Sequence, residues 1–120
     1  MSMKKILMGC IYYADLEEGK GSEQSGKRPV IIIQNDFGNS HSPTTIIAVI
    51  TSQTNKRKLP THIPLSKENF KFLDKDSIVM CEQIRTIDKS RLIEYKGKVD
   101  DYTMMEIITA LQTSFAMYGC

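Results

Sequence analysis

Residues 21–36 read Gly-Ser-Glu-Gln-Ser-Gly-Lys-Arg-Pro-Val-Ile-Ile-Ile-Gln-Asn-Asp, and the predicted fold is built around them. The first part, 21–27, holds glycine and serine and no large apolar residue, which is typical of an exposed loop. Pro29 and the four β-branched residues after it (30–33) predict the start of a buried strand. Arg28 therefore lies where a loop meets a rigid strand. A guanidinium fixed at such a point is suited to hold a phosphate.

Apolar runs bounded by turn-forming residues continue on both sides of this strand, which itself is predicted over 28–35. Pro60 and Pro64 mark one of the further strands as an edge strand, because proline cannot donate to a sheet ladder. The further strands are predicted at 10–16, 44–52, 61–65, 77–87 and 92–98, with turns at 36–43, 66–75 and 88–91.

The apolar period changes near the C-terminus. Asp100 can cap a helix, and from there apolar residues recur every three or four positions until Gly119. This predicts one amphipathic helix over about 100–118 whose apolar stripe covers a sheet. Six or seven short strands followed by one helix predict an α+β fold, a small curled antiparallel sheet or half-open barrel. The stripe consists of Met104, Ile107, Ile108, Leu111 and Phe115.

Length and composition indicate one ordinary globular domain. The chain has 120 residues, 25% of them charged and 41% hydrophobic, which is enough for a core without metal or disulfide staples. No apolar run reaches membrane length, and the run at 6–8 is too short for a secretory signal, so we expect a cytoplasmic protein with no membrane partner. Cys10, Cys81 and Cys120 are widely spaced, which favours buried strand residues and a tail thiol over a disulfide framework or a zinc site.

The net charge of +2 permits a polyanionic partner without requiring one. Basic residues are nevertheless grouped in or beside predicted loops, at 27–28, 56–58, 85 and 89–91. If these loops share one face of the protein, they form a local basic patch. The alternative is that they are ordinary solvated surface charges.

The familiar catalytic and nucleotide-binding patterns are absent from the sequence. There is no phosphate-cradling glycine motif, and His41 and His62 are not at metal-ligand spacing, so a site without metal is predicted. Polar residues instead gather at the predicted strand ends. They are Glu23, Gln24 and Arg28 in and after the first loop, Thr51 and Gln53 after the third strand, and Glu82 and Gln83 in the fifth.

Two of these residues are expected to meet. If the second and third strands are antiparallel neighbours, the start of one lies beside the end of the other, which brings Arg28 close to Thr51. A guanidinium beside a hydroxyl is suited to bind an anionic phosphate. The alternative is that Arg28 pairs with Glu23 on the surface and that Thr51 only ends a strand.

Five sequence blocks carry a family resemblance. They are Tyr-x-Ala-Asp-Leu at 12–16, Gly-Ser-Glu-Gln-x-Gly-x-Arg-Pro-Val at 21–30, Ile-Thr-x-Gln at 50–53, Leu-Pro-Thr-His at 59–62 and Glu-Gln-Ile-Arg-Thr-Ile-Asp at 82–88. In this order they resemble the MazF/PemK (Kid) toxins of bacterial type II toxin–antitoxin systems. The last two are similar to the MazF branch of Gram-positive bacteria (EndoA-like).

The resemblance implies a single domain over 1–120, with an SH3-like β-barrel at about 9–99, a C-terminal helix at about 100–118, and a homodimer. It implies an endoribonuclease that needs no cofactor, metal or ribosome and cuts single-stranded mRNA, with U-A-C-A-U as the expected site. The expected products are a 2′,3′-cyclic phosphate (or 3′-phosphate) and a 5′-hydroxyl, and the expected result is inhibited translation and growth. A MazE-like antitoxin would block the RNA groove.

The resemblance also implies residue roles. Arg28 and Thr51 correspond to the catalytic pair, and Glu23 is a candidate base. One departure is Cys10, which stands where the family usually has an acidic residue. The implied RNA-binding residues are Ser22, Glu23, Gln24, Gln53, Glu82 and Gln83.

Two other functions are alternatives to this one. The first is a non-catalytic SH3-like module that binds RNA or a peptide, and the presence of both Arg28 and Thr51 argues against it. The second is a gyrase inhibitor like the CcdB toxins, and the block at 21–30 argues against that.

Overall fold

The computed structural model describes residues 6–17, 20–21, 26–54 and 59–116. Within these ranges the chain forms six strands, a short helix, a 3₁₀ turn and a long helix. In chain order they are β1 (Cys10–Asp15), β2 (Lys27–Ile32), α1 (Asp36–His41), β3 (Thr44–Thr51), β4 (His62–Leu65), β5 (Ser77–Asp88), the 3₁₀ turn (Lys89–Arg91), β6 (Leu92–Lys98) and α2 (Asp101–Phe115). The predicted α+β class, with six antiparallel strands and a C-terminal helix, is confirmed.

The strands form one antiparallel sheet in the order β4-β5-β3-β2-β1-β6. The predicted edge position of the proline-flanked strand is confirmed, because β4 stands at one end of this order. Within the described residues the two end strands do not pair with each other, so the barrel is half open. The sheet curls, however, and Arg85 of β5 donates from Nη1 to the Leu16 carbonyl after β1 at 2.8 Å.

Both faces of the sheet are buried, and each has its own apolar cluster. The inner core, on the concave face, includes Tyr12, Leu16, Val30, Ile32, Ile47, Val49 and Leu92. The helix-side core, on the other face, includes Ile11, Ile31, Ala48, Ile50, Val79, Met104, Ile107 and Leu111. A strand buried on both sides needs a continuous apolar run rather than an alternating one. This explains the unbroken β-branched run in β2, and Cys10, 3% exposed, belongs to the inner core as a small apolar residue.

Helix α2 packs as its stripe predicts for most positions. Met104, Ile107 and Leu111 are buried against the sheet, but Phe115 is 67% exposed, so its predicted place in the covered stripe is wrong. The helix ends at Phe115 because Ala116 is already extended, whereas the prediction continued to 118; Gly119 lies outside the described residues. Asp100 holds the N-cap position, but its carboxylate accepts from the Thr103 hydroxyl at 2.5 Å rather than from a backbone N–H. Neither helix in the described chain is long and apolar enough to cross a membrane.

The predicted turn between β2 and β3 is instead the helix α1, which is a correction. Asn35 caps it, since its Oδ1 accepts from the Gly38 amide at 2.8 Å. Asn39 is buried and accepts from the Thr45 hydroxyl at 2.7 Å. Asn39 Nδ2 also donates to the backbone carbonyl of Gln34. The strand β2 therefore ends at Ile32 and not at residue 35 as predicted, because Gln34 and Asn35 make hydrogen bonds with α1 instead.

Gly97 of β6 sits under the ring of Phe72, and this contact fixes the segment before β5. A Cβ added at Gly97 would lie 2.3 Å from Phe72 Cδ2. We expect Gly97→Ala to lower the free energy of unfolding by about 1–3 kcal/mol, because the buried site has no room for a methyl group. Urea unfolding measures this change. Adding Phe72→Leu should recover part of the loss, and equal losses in the single and double variants would contradict the contact.

Candidate active site

The register of β2 and β3 bears on the predicted pair. Val30 pairs with Val49, Ile31 with Ala48 and Ile32 with Ile47 in antiparallel register. Continued by two residues beyond the Val30–Val49 pair, this register would set Arg28 opposite Thr51. Side chains alternate along a strand, so both belong to the face of Val30 and Val49, which is the inner core. Directly opposed residues have their Cβ atoms about 5 Å apart.

The surroundings of this pair suit an anion. Thr51 is 4% exposed, and its Oγ1 accepts a hydrogen bond from the backbone N–H of Gln53 at 3.1 Å. The hydroxyl hydrogen of Thr51 can therefore be donated to another group. Arg28 is half-buried and pairs across the other side with Ala14 of β1, whose small side chain leaves room for the guanidinium. The arrangement therefore provides one charged fork and one neutral donor at the same end of the sheet.

Glu82 and Gln83 lie in a bulge of β5 beside β3. Ala48 pairs with Ile84 and the next residue, Val49, pairs with Met80, so residues 81–83 have no partners in β3. A bulge bends its strand and re-aims the side chains in it. Glu82 is exposed there and Gln83 is half-buried. The bulge borders Val49, two residues before Thr51.

Two neighbours hold the Glu82 carboxylate. Thr61 donates from its hydroxyl to Oε1 at 2.8 Å, and His62 of β4 lies with Nε2 3.0 Å from Oε2. Partial burial raises the pKa of the Glu82 carboxyl, but the hydrogen bonds from His62 and Thr61 outweigh burial, and the pKa is lowered from its ordinary value. Glu82 is thus a fixed anion. Among the described residues, nothing partners the buried Nδ1 of His62.

Replacing Thr61 with valine should raise the pKa of Glu82, because it removes a hydrogen bond that favours the ionised carboxylate. A carboxyl whose pKa is lowered on folding stabilises the fold above its unfolded pKa and loses that contribution as the pH falls through its folded pKa. Thr61→Val should therefore lose less stability than wild type on acidification. A carboxyl ¹³C NMR titration measures the pKa. Thr113→Val, on the exposed face of α2, is the control, and an unchanged Glu82 titration in Thr61→Val would contradict the expectation.

The other predicted residues fall into three groups. Gln53 is exposed just after β3, and its backbone N–H donates to the Thr51 hydroxyl oxygen. Arg85 is in β5, within the predicted strand and near the turn that follows it, and Arg91 is paired with Glu17 at 2.9 Å. The remaining ones lie outside the described residues: Ser22, Glu23, Gln24 and the basic run at 56–58.

Sequence reasoning missed the roles of Thr61 and His62. They lie 21 and 20 positions from Glu82 in the chain, so no local pattern connects them. The available signal was the edge strand itself, since β4 pairs with β5 from His62 opposite Met80.

Comparison with known proteins shows the family of the chain. The family model for PemK-like, MazF-like toxins of type II toxin–antitoxin systems matches residues 8–115. The Endoribonuclease MazF of Staphylococcus saprophyticus is 50% identical over 110 residues, which are 92% of this chain and 91% of that protein.

Solved structures give the same result. A mycobacterial endoribonuclease in complex with its cognate antitoxin is 28% identical, with a TM-score of 0.75 over 95% of this chain and 98% of that one. MazF from Deinococcus radiodurans, 19% identical, shares the fold with a TM-score of 0.77 over 92% and 96% of the two chains. Because the family model spans most of the chain and a relative shares half of its residues, the chain belongs to the PemK-like, MazF-like toxins of type II toxin–antitoxin systems.

Proposed function

We propose that this MazF-family toxin is an endoribonuclease that cuts single-stranded RNA at a phosphodiester held between Arg28 and Thr51. The observation that carries the proposal is the β2–β3 register, which, continued two residues beyond the Val30–Val49 pair, would set these two residues opposite each other on one face of the sheet. A 50% identical relative named as an endoribonuclease supports the activity.

The reaction we propose is a transesterification within the RNA. The 2′-hydroxyl loses its proton and attacks the adjacent phosphorus, and the bond to the 5′-oxygen breaks. The leaving 5′-oxygen takes a proton from water, so the products are a 2′,3′-cyclic phosphate and a 5′-hydroxyl. Arg28 stabilises the negative charge that develops on the phosphoryl oxygens, and Thr51 donates its hydroxyl hydrogen to one of them. Each well-placed donor of this kind contributes about 10²–10³ in rate.

The proton transfers require other groups. The guanidinium of arginine stays protonated in proteins, so Arg28 is assigned to charge stabilisation and not to general base catalysis. Glu23, in the loop before β2, remains the candidate base that takes the proton of the 2′-hydroxyl.

Recognition of the RNA is assigned to the residues around the pair. Glu82 repels phosphate because it is a fixed anion, so we expect it to accept hydrogen bonds from base amino groups, which adenine and cytosine offer. A site near U-A-C-A-U provides such groups. Gln53 and Gln83 can donate and accept on base edges, and Ser22, Glu23 and Gln24 are proposed to cover the bound strand.

The proposed partners are a MazE-like antitoxin and a second copy of the chain. A similar mycobacterial endoribonuclease forms a complex with its cognate antitoxin, which supports the first. Tyr102, Met105 and Phe115 of α2 are exposed apolar side chains, which supports a further covered face in a homodimer. We propose that the substrate is mRNA in the cytoplasm. The extent of the single domain, residues 1–120, remains a prediction.

Cleavage of a long single-stranded RNA in EDTA tests the function. We expect fragments that share one short sequence at their ends, with 5′-hydroxyl termini that accept phosphate from polynucleotide kinase, because the mechanism needs no metal ion. Sequencing of the RNA ends identifies the site. Loss of all cleavage in EDTA, or inhibition of gyrase supercoiling without RNA cleavage, would contradict the proposal.

A further inference from the structure

A cleft of about 250 Å³ lies at the same end of the sheet as the candidate pair but on the helix-side face. Pro29 and Ser52 line it, and they directly follow Arg28 and Thr51 in the chain. Consecutive strand residues face opposite sides of a sheet, and their Cα atoms are about 3.8 Å apart. The cleft and the candidate pair are therefore close neighbours, separated by the thickness of the sheet at the end of β2 and β3.

The side chains that line this cleft are of the kinds that bind nucleotides in proteins. Tyr13 and Phe72 provide aromatic rings, on which nucleobases stack. Lys75 and Lys96 provide ammonium groups for a phosphate. Further polar groups for the edges of a base come from Ser52, Ser77 and Asp74.

Several contacts build the cleft before any ligand binds. Phe72 is wedged against Gly97, which fixes the ring. Tyr13 pairs with Pro29 on one side and with Glu94 on the other, so its backbone is held between two strands. Lys96 Nζ lies 4.0 Å from Glu94 Oε1, which is the outer limit of an ion pair. Because Lys96 is also only half-buried, its ammonium group can turn from Glu94 to a phosphate at little cost in free energy.

We infer that this cleft is a nucleotide subsite that holds one RNA residue flanking the scissile phosphate, with its base against Tyr13 and its phosphate near Lys75 and Lys96. The inference rests on the proposed function. RNA is favoured over an antitoxin side chain because two aromatic rings suit a base, two lysines suit a phosphate, and the serine hydroxyls and the Asp74 carboxylate suit the edges of a base. The toxin would then contact RNA beyond the residues around the catalytic pair.

Abasic substitution tests the subsite. An oligoribonucleotide that contains the mapped cleavage site and about four nucleotides on each side is made with one flanking base at a time removed. We expect one position at which the wild type loses about tenfold in kcat/KM, as for loss of a stacked base. Tyr13→Leu should show the same loss on the intact RNA and no further loss on that abasic RNA. Tyr13→Phe keeps the ring and should behave as wild type.

The phosphate contact is tested by salt dependence. Lys96→Ser should weaken RNA binding and reduce the slope of log affinity against log salt by about 0.7, the value for one phosphate in a single strand. Lys67→Ser is the matched control, because Lys67 is exposed before Phe72 but does not line the cleft.

Three results would overturn the subsite: equal losses of Tyr13→Leu on intact and abasic RNA, no sensitive flanking position, or weakened antitoxin binding with unchanged RNA cleavage. Failure of the proposed function gives a different result, since the wild type would then cut none of the RNAs.

Discussion

Replacing Arg28 with alanine lowers the rate of RNA cleavage by at least about a hundredfold and leaves the fold intact. The guanidinium is the charged member of the pair, and no other donor in the arrangement can match its planar fork on a phosphoryl group. Because Arg28 is at the outer end of β2 and only half-buried, its removal opens no core cavity. Single-turnover cleavage of an RNA that contains the mapped site measures the effect.

Two variants make this result specific. Lys27→Ala removes an exposed cation next to Arg28 and should retain cleavage within a few-fold of wild type. Arg28→Lys keeps the charge but loses the fork, so we expect activity between that of wild type and that of the alanine variant. Full activity of a folded Arg28→Ala protein would exclude Arg28 from the catalytic pair, whatever the result for Thr51.

Replacing Ile107 with alanine lowers the free energy of unfolding by about 2–5 kcal/mol, the largest stability loss that we expect from one helix substitution. Ile107 is fully buried at the centre of the helix-side core, where α2 lies on β5, and the Cys81 thiol approaches its carbonyl at 4.0 Å. The shorter side chain loses transfer free energy and leaves a cavity that a sheet and a helix cannot readily close.

Urea unfolding measures this loss, and Gln112→Ala on the exposed side of the same helix is the control, expected within about 0.5 kcal/mol of wild type. A small effect of Ile107→Ala would mean that α2 is not held to the sheet through this face. Because the inner core is formed by the strands alone, Ile107→Ala protein that remains folded should still cleave RNA.

The elements that position the pair could be predicted because their sequences act locally. The β-branched run at 30–33 and the largely β-branched run at 46–50 predict strands, and the structure shows that these strands are antiparallel neighbours, which was the condition for the predicted pair. The same reasoning gave the edge strand from its prolines. It failed at α1, because glycine, serine and asparagine predict a turn unless the side-chain contacts of Asn35 and Asn39 are known.

The rest of the site depends on contacts between distant parts of the chain. The bulge at 81–83 leaves no mark in the apolar pattern of β5, which appears continuous, yet it re-aims Glu82. The hydrogen bonds from Thr61 and His62 to the Glu82 carboxylate form only after β4 has paired with β5. Phe115 follows the helical spacing of the buried residues, but the sheet does not extend far enough to cover it.

The pairing of β1 with β6 joins Cys10 to Lys98, which are near opposite ends of the chain. β2 and β3, which carry the proposed catalytic pair, are adjacent in sequence and can pair early. β1 pairs with β2 on its other side, and β1 itself gains its second neighbour only when β6 has been made. During synthesis on the ribosome, an emerging chain therefore holds the two proposed catalytic residues without the complete sheet around them. We expect the nuclease to become active only after β6 has been made, so that the mRNA encoding it is not cut by its own unfinished product.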